Sequence, residues 1–535
     1  MSNSTSFSRP TRRHLLQWVG RMAGATALYQ TMAALGLLHA APAWSGTDSL
    51  RLSRGQGKTV AILGAGMSGL MAAYELQKAG YRCVVLEALG HAGGRNLTAR
   101  RGTRVVEDTG PQGRTEQVCQ FDDGLYMNLG PARLPFQHER VMHYCKVLKV
   151  PLEVYVMSTT ANLYQSDSAF GGKAVPRFRL GNDVNSHIAE LLGKAVSRGA
   201  LNAELSAEDR QRFMAMVRTF GGLPLDGTDG SAADTPRNLC LSPMTVQAMC
   251  EPNPRLALDD MLRSGFWEHR FFQPIEGDWE PTLFQPVGGM DKLVEAFTRH
   301  VGSLIRYRTQ IKHIATEAQG VRVFYRDGST GHDHTLLADH VLSCIPLPKL
   351  AAIPSNFSSS YKEAIAAAPM GALYKLAWQA QERFWEQPPY NIFGGISYID
   401  SPLTQMWYPS NDYFSRKGII AGCYTYDQRA EAYGRMTLAE RIVSARQESI
   451  KLHAEYGNEH LLPSSKAISI AWNQAEGQSG GYAAWDHQNP HQERAYQRLL
   501  QPEGRFMAMG DQLSPLPGWQ EGAFLSAEHA LNTCN

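Results

Sequence analysis

The sequence predicts an α/β protein, and three observations carry that reading. A short apolar run, Thr59–Leu63, leads into a glycine-rich turn and a helical pattern over 70–78. A second apolar run follows at Arg82–Leu86, and strand-like runs return much later, at 305–328 and 338–350. Short apolar runs bounded by turn residues read as buried strands, and strand–helix–strand alternation reads as a parallel, Rossmann-type unit.

Length and composition leave room for more than that unit. The chain has 535 residues, enough for two or three lobes around a large core. Apolar residues make up 43% and charged residues 19%, as in soluble enzymes, and a net charge of +2 offers no electrostatic case for nucleic acid. Eight cysteines without a CxxC pair fit neither a disulfide scaffold nor a zinc site, so no metal is expected.

In chain order the first feature is an address. Arg12 and Arg13 in TRRHLLQ precede a mildly apolar stretch, and APA at 41–43 supplies small residues for cleavage. This pattern is similar to a twin-arginine export signal, expected to occupy 1–43 and to deliver a folded protein to the periplasm or outside the cell. The stretch 19–38 contains Arg21 and Gln30 and is too weakly apolar for stable membrane insertion. A tail that merely contains two arginines is the plainer alternative.

The turn after Thr59–Leu63 is Gly64-x-Gly66-x-x-Gly69. The first glycine permits a tight turn, the second lets backbone approach a diphosphate, and the third lets helix and strand pack closely. Glu87, at the end of the second run, is placed to accept from ribose hydroxyls. A lone GxGxxG says little, but strand, glycines, helix, strand and acid in that order specify a dinucleotide site.

The next stretch selects the dinucleotide. Gly93-Gly94-Arg95 followed by Thr98 resembles the flavin monoamine oxidase superfamily, which implies noncovalent FAD, because Tyr482 follows Gly480-Gly481 where some members carry a flavin-linked cysteine. The resemblance recurs at 284–297, 305–328, 338–350 and 504–531. It implies an FAD-binding domain assembled from 57–137, 284–345 and 471–535, a helical lobe at 138–283 that shapes substrate entry, and an antiparallel-sheet substrate domain at 346–470. Cofactor contacts are then expected from Gly64, Gly66, Met67, Ser68, Gly69, Glu87, Ala88, Gly94, Arg95, Gly130, Pro131, Ala132, Arg133, Ile311, Trp472, Gly510, Asp511, Trp519 and Gln520. Asp511 stands where the family usually has glutamate, and the helix from Gln520 aims its positive end at the flavin.

Within the superfamily the chain is most similar to FAD-dependent L-amino-acid oxidases. GPARLP at 130–135 resembles their stretch whose arginine binds the substrate carboxylate, here Arg133. A guanidinium braced between Pro131 and Pro135 suits that task, because it can give two parallel charge-assisted bonds to a carboxylate. An internal ion pair with an acid of the protein is the structural alternative. The resemblance adds Tyr424 as a second carboxylate ligand, with Tyr426 as its neighbouring substitute, Gly518 as the acceptor for the amine, and Trp519 as a wall. Lys375 would hold a water near the flavin. It interrupts the apolar run 372–378, where an inward lysine needs a task, unless that run is an edge strand and the lysine points to water.

The implied reaction converts an L-amino acid and O2 to a 2-oxo acid, ammonia and hydrogen peroxide, and a homodimer is expected from the resemblance alone. Three alternatives stay open: an amino-acid 2-monooxygenase yielding amide and CO2, an amine oxidase for substrates without a carboxylate, and a non-catalytic flavin-fold binding protein. Aromatics over 390–410 (Phe393, Tyr398, Trp407, Tyr408) point to a large or aromatic substrate side chain. His138 and Cys250 receive no role beyond packing.

Overall fold

The computed structural model describes residues 57–108, 110–222, 254–269 and 281–533, with scattered positions between 44 and 55 and residues 246 and 279. The expected export signal at 1–43 and Cys250 lie outside the described residues.

A five-stranded, wholly parallel sheet runs in the order Ile305–Arg306, Arg82–Leu86, Thr59–Leu63, His340–Ser343, Phe506–Ala508. Both faces of Thr59–Leu63 are covered, which is why the run reads as continuously apolar. Val60 and Ile62 pack with Leu70, Phe297 and Phe524 from the helices Met67–Lys78, Asp291–Val301 and Gln520–Thr533. Ala61 and Leu63 face the other way, toward Ile314 and Val323 of a three-stranded antiparallel sheet, Thr309–Glu317, Gly320–Asp327 and Asp333–Ala338. The observed helix begins at Met67, so it starts directly from the glycine turn.

The second sheet has seven strands in the order Val175–Pro176, Leu163–Gln165, Ile396–Ile399, Gln405–Trp407, Gly418–Tyr426, Leu373–Ala380, Ala467–Ala471. All neighbours are antiparallel except Leu163–Gln165 against Ile396–Ile399, which run parallel. Two of these strands come from the range read as helical lobe. That boundary is corrected: 163–165 and 175–176 belong to the substrate sheet, and the helical part begins with Arg177–Ser197. These strands are two or three residues long, too short to show a period in sequence. The helix pair is well specified locally. Ser206 caps Ala207–Gly221 by accepting from the Asp209 N–H, and Gly222 ends it in the left-handed conformation. A Cβ on Gly221 would lie 1.9 Å from that of Ala189, so the helices meet backbone to backbone there.

A buried ion pair ties the two-stranded ribbon of Arg104–Glu107 and Thr115–Val118 to the seven-stranded sheet and a helix beside it. Arg441, on the helix Leu438–Ser449, donates to both oxygens of Glu107 at 2.9 and 2.7 Å, and both side chains are almost wholly buried. Glu107 also accepts from the Ala471 N–H at 2.8 Å, and Arg441 from its other edge donates to the Tyr433 and Gly434 carbonyls. The pair is thus fully hydrogen-bonded, the condition under which buried charge is tolerated.

Candidate active site

The glycine turn is built for close approach. Gly64 has φ +100°, and a Cβ on Gly69 would sit 2.2 Å from the Gly64 carbonyl oxygen. The helix Met67–Lys78 has no side-chain cap on its first turn, leaving N–H groups directed at an anion. Gly93, in the adjoining Gly93-Gly94-Arg95 loop, donates its N–H to the Ala65 carbonyl at 2.8 Å and so docks that loop on the turn. Ser68 is buried inside the turn, and Gly510, with φ +119°, approaches it from the C-terminal segment. A Cβ on Gly130 would lie 1.8 Å from the Arg95 carbonyl oxygen. Bare backbone from four distant segments therefore lines one groove, which fits an extended dinucleotide.

Some expected cofactor residues are engaged with protein. Glu87 accepts from the Ala65 N–H at 2.6 Å and the Leu89 N–H at 2.8 Å, and burial raises its pKa against those bonds. Arg95 donates to the Gly481 carbonyl at 2.8 Å and to the Asp511 carboxylate, whose other oxygen accepts from the Gly518 N–H at 2.8 Å. Trp472 donates its indole N–H to the Leu129 carbonyl at 2.9 Å. Gln520 donates to the Asn96 side chain at 2.9 Å, and Ala88 is exposed beyond Glu87. Ile311 lies at a bulge in the three-stranded sheet, packed against the cluster that includes Ala61, Leu63 and Leu86.

Arg133 is held by its neighbours. The two-residue strand Leu134–Pro135 pairs with Leu283–Pro286, and the buried Leu134 side chain anchors it in the core. The guanidinium itself is buried, 4.0 Å from the ring centre of Trp279, 4.7 Å from Trp519 and 5.9 Å from Trp407. Aromatic faces stabilise a cation without neutralising it. Pro131 and Ala132 bring the chain to this point from Gly130.

Lys375 meets Arg133 in the same place. It lies on Leu373–Ala380, flanked by a strand on each side, and is buried, so the edge-strand alternative does not hold. Its ammonium donates to the Asn128 carbonyl at 3.2 Å and to that of Gly130, and stands 4.6 Å from the ring of Tyr424, its direct cross-strand partner. Burial first, and the Arg133 charge second, push its pKa down to about 7. Lys375 is therefore charged below that pH and neutral above it. A bound carboxylate would offset the Arg133 field, the second of those causes, and raise the value. The pH profile of kcat/KM is expected to inflect near pH 7 and that of kcat somewhat higher, both inflections vanishing in Lys375→Met.

A partly open cavity lies at Lys375, Asn128 and Tyr424 and is walled by Ala132, Tyr155, Trp407, Ala421 and Ile419. Tyr426 packs 4.8 Å from Tyr424, and Trp407 packs 4.9 Å from it on the other side. Gly518 has φ +83°, a conformation glycine adopts freely, and precedes Trp519. His138, buried at the start of the helix Glu139–Val147, meets the Trp519 ring edge-on at 4.9 Å. The Tyr482 hydroxyl donates to Asp427 at 2.7 Å. The structure thus gathers Arg133, Lys375, Tyr424 and Trp519 into one region, with Trp472, Gly130 and Asn128 adjoining. Sequence reasoning missed Tyr155, Trp279 and the contact of His138 with Trp519. None sits in a motif, and no spacing relates them to Arg133. No group of His, Cys, Asp and Glu able to hold a metal occurs among the described residues, and no helix there is long and apolar enough to cross a membrane.

A dinucleotide groove that leads into a cage of aromatic and cationic side chains defines an oxidoreductase dependent on a nucleotide cofactor. The sequence model of flavin containing amine oxidoreductases matches residues 67–530, and the chain belongs to that family. FAD is its cofactor, and the backbone groove fits it. The chain is 26% identical over 509 residues to the flavin-dependent L-tryptophan oxidase RebO of Lentzea aerocolonigenes, covering 90% of this chain and 98% of that one. It is 25% identical over 501 residues to an L-amino-acid oxidase of Echis ocellatus, covering 89% of each. Among solved structures, putrescine oxidase bound to putrescine aligns with a TM-score of 0.54 at 16% identity, covering 89% of this chain and 98% of that one. Cyclohexylamine oxidase from Brevibacterium oxydans IH-35A aligns with a TM-score of 0.55 at 16% identity over the same shares. Those two show the shared fold.

Proposed function

We propose that the enzyme oxidatively deaminates L-α-amino acids. One observation carries this reading: a guanidinium buried among three tryptophans, beside a cavity that also holds Lys375 and Tyr424. A guanidinium in such surroundings can give parallel charge-assisted bonds to a small anion, and the α-carboxylate provides one. The Tyr424 hydroxyl would donate a further bond to that carboxylate. The Gly518 carbonyl would accept from the amine, its peptide plane restrained by the bond from the Trp519 N–H to the Leu516 carbonyl. With both groups fixed, the Cα–H bond has one orientation available, and orientation supplies much of the rate. FAD, when bound, supplies acceptance of the hydride and its onward passage to O2. The chain contributes a water-poor aromatic enclosure, an amine held with its lone pair available, and a lysine that changes charge near neutral pH.

The test is a peroxide assay of the FAD-loaded enzyme across the common L-amino acids and simple amines, with identification of the organic product. A 2-oxo acid, ammonia and peroxide from an amino acid support the proposal. Turnover of amines alone would overturn it, and an amide with CO2 would replace it by monooxygenation.

A further inference from the structure

The cavity has a second end. Cross-strand register sets its direction, because Tyr424 lies opposite Gln405, and Ala421 opposite Trp407. The lining therefore runs along Gly418–Tyr426 from Tyr424 through Ala421 to Ile419, and along the facing segment from Trp407 to Ser410 and Asn411. At the Ile419 end the walls turn polar, with Tyr126, Gln285, Ser410 and Asn411. Gln285 is buried and donates to the Glu153 carboxylate at 2.9 Å, and the two are register partners, so they share a face. The Tyr126 hydroxyl oxygen is buried and meets no hydrogen-bond partner among the described residues. Two carboxylates stand behind these walls, Glu153 accepting from Gln285 and Asp412 accepting from Asn411, while the Arg100 guanidinium lies 5.6 Å from the Tyr126 ring centre. Arg100 is already committed to Asp291 and the Gly288 carbonyl.

Resting on the amino-acid reading above, we infer that this far end receives a cationic side-chain terminus, so that the preferred substrates are long basic L-amino acids. The two ends are then complementary to one molecule. Arg133 and Tyr424 meet its carboxylate, and the Tyr126 hydroxyl with the Glu153 and Asp412 charges meets an ammonium or guanidinium. Between them Tyr155 and Trp407 give an apolar passage that accepts methylene groups. A short side chain held at the Tyr424 end leaves the Ile419 end of the lining unfilled. A long side chain without a donor reaches it but leaves the buried Tyr126 hydroxyl oxygen unmatched, which disfavours it. An aromatic side chain fits the passage and fails at the same place.

The experiment compares kcat/KM of the FAD-loaded enzyme for L-lysine, L-norleucine, L-phenylalanine and cadaverine. L-lysine is expected to exceed L-norleucine, which lacks only the terminal amine, by about tenfold or more. Glu153→Gln is expected to shrink that preference by at least about fivefold, and Tyr126→Phe to shrink it less. Norleucine or phenylalanine matching lysine in the wild type overturns the inference. So does a preference unchanged in both variants. Should Glu153→Gln not fold, the wild-type ratio and Tyr126→Phe decide. Cadaverine, which is lysine without its carboxylate, separates the two readings. If it is oxidised as well as lysine, the carboxylate role of Arg133 fails while the far-end assignment stands. If lysine and norleucine are equal and cadaverine is poor, the reverse holds.

Discussion

Replacing Arg133 by methionine is expected to lower kcat/KM for the best L-amino acid about a thousandfold. Methionine is apolar and flexible enough to fill the space among Trp279, Trp407 and Trp519, so the cage should survive the change. What disappears is the only group of that cage that can neutralise a carboxylate directly at two points. Removing one member of a buried charge pair costs 2–5 kcal/mol, and about 4 kcal/mol corresponds to the loss expected here. Turnover of a simple amine, which has no carboxylate to lose, should not fall in parallel. Steady-state kinetics with both substrate types measure the contrast, and an Arg133→Met enzyme that keeps its amino-acid kcat/KM would remove the carboxylate role. The same substitution takes away a charge that lowers the Lys375 pKa, so the pH inflection assigned to Lys375 should move upward.

The second large effect concerns stability. Arg441→Met strands the Glu107 carboxylate in the interior beside the Ala471 N–H, and breaking a buried pair in this way costs about 3–5 kcal/mol. Urea denaturation of the FAD-loaded protein should show the loss as a lower midpoint at unchanged slope. Glu107→Gln combined with Arg441→Met leaves no isolated charge, and the double variant should be more stable than Arg441→Met alone. Equal stability of the two would mean that the pair is solvated before global unfolding. Because Ala471 continues into Trp472, whose indole N–H reaches the Leu129 carbonyl beside Gly130, flavin retention should weaken along with stability.

Local chemistry made the cofactor half readable. Gly64, Gly66, Gly69 and Glu87 announce a strand–turn–helix–strand unit because each meets a steric or hydrogen-bonding demand within a short stretch of chain. The helix Ala207–Gly221 carries local marks of the same kind, with Ser206 at one end and Gly222 at the other. The substrate sheet was less so. The parallel pairing of Leu163–Gln165 with Ile396–Ile399 joins segments more than two hundred residues apart, and nothing in either short run marks its partner. Arg133, Lys375 and Tyr424 could be named only through motif resemblance, since their meeting depends on register between strands. Trp279 and Tyr155 were illegible for a plainer reason. An aromatic residue that walls a cavity and one that fills a core have the same composition and spacing. Asp511 shows the converse. The resemblance marks it as a cofactor contact, while in the structure its two oxygens serve Arg95 and Gly518, partners no linear pattern could specify.

The order of strands in the parallel sheet bears on how the protein comes into being. One of its two edge strands is Phe506–Ala508, and the helix Gln520–Thr533 packs over the helix that begins at Met67, so segments more than four hundred residues apart close the same layer. That layer cannot be completed until the segment from 506 onward has been translated. Before then the nascent chain lacks one border of its parallel sheet and the glycine at 510 that faces the nucleotide turn.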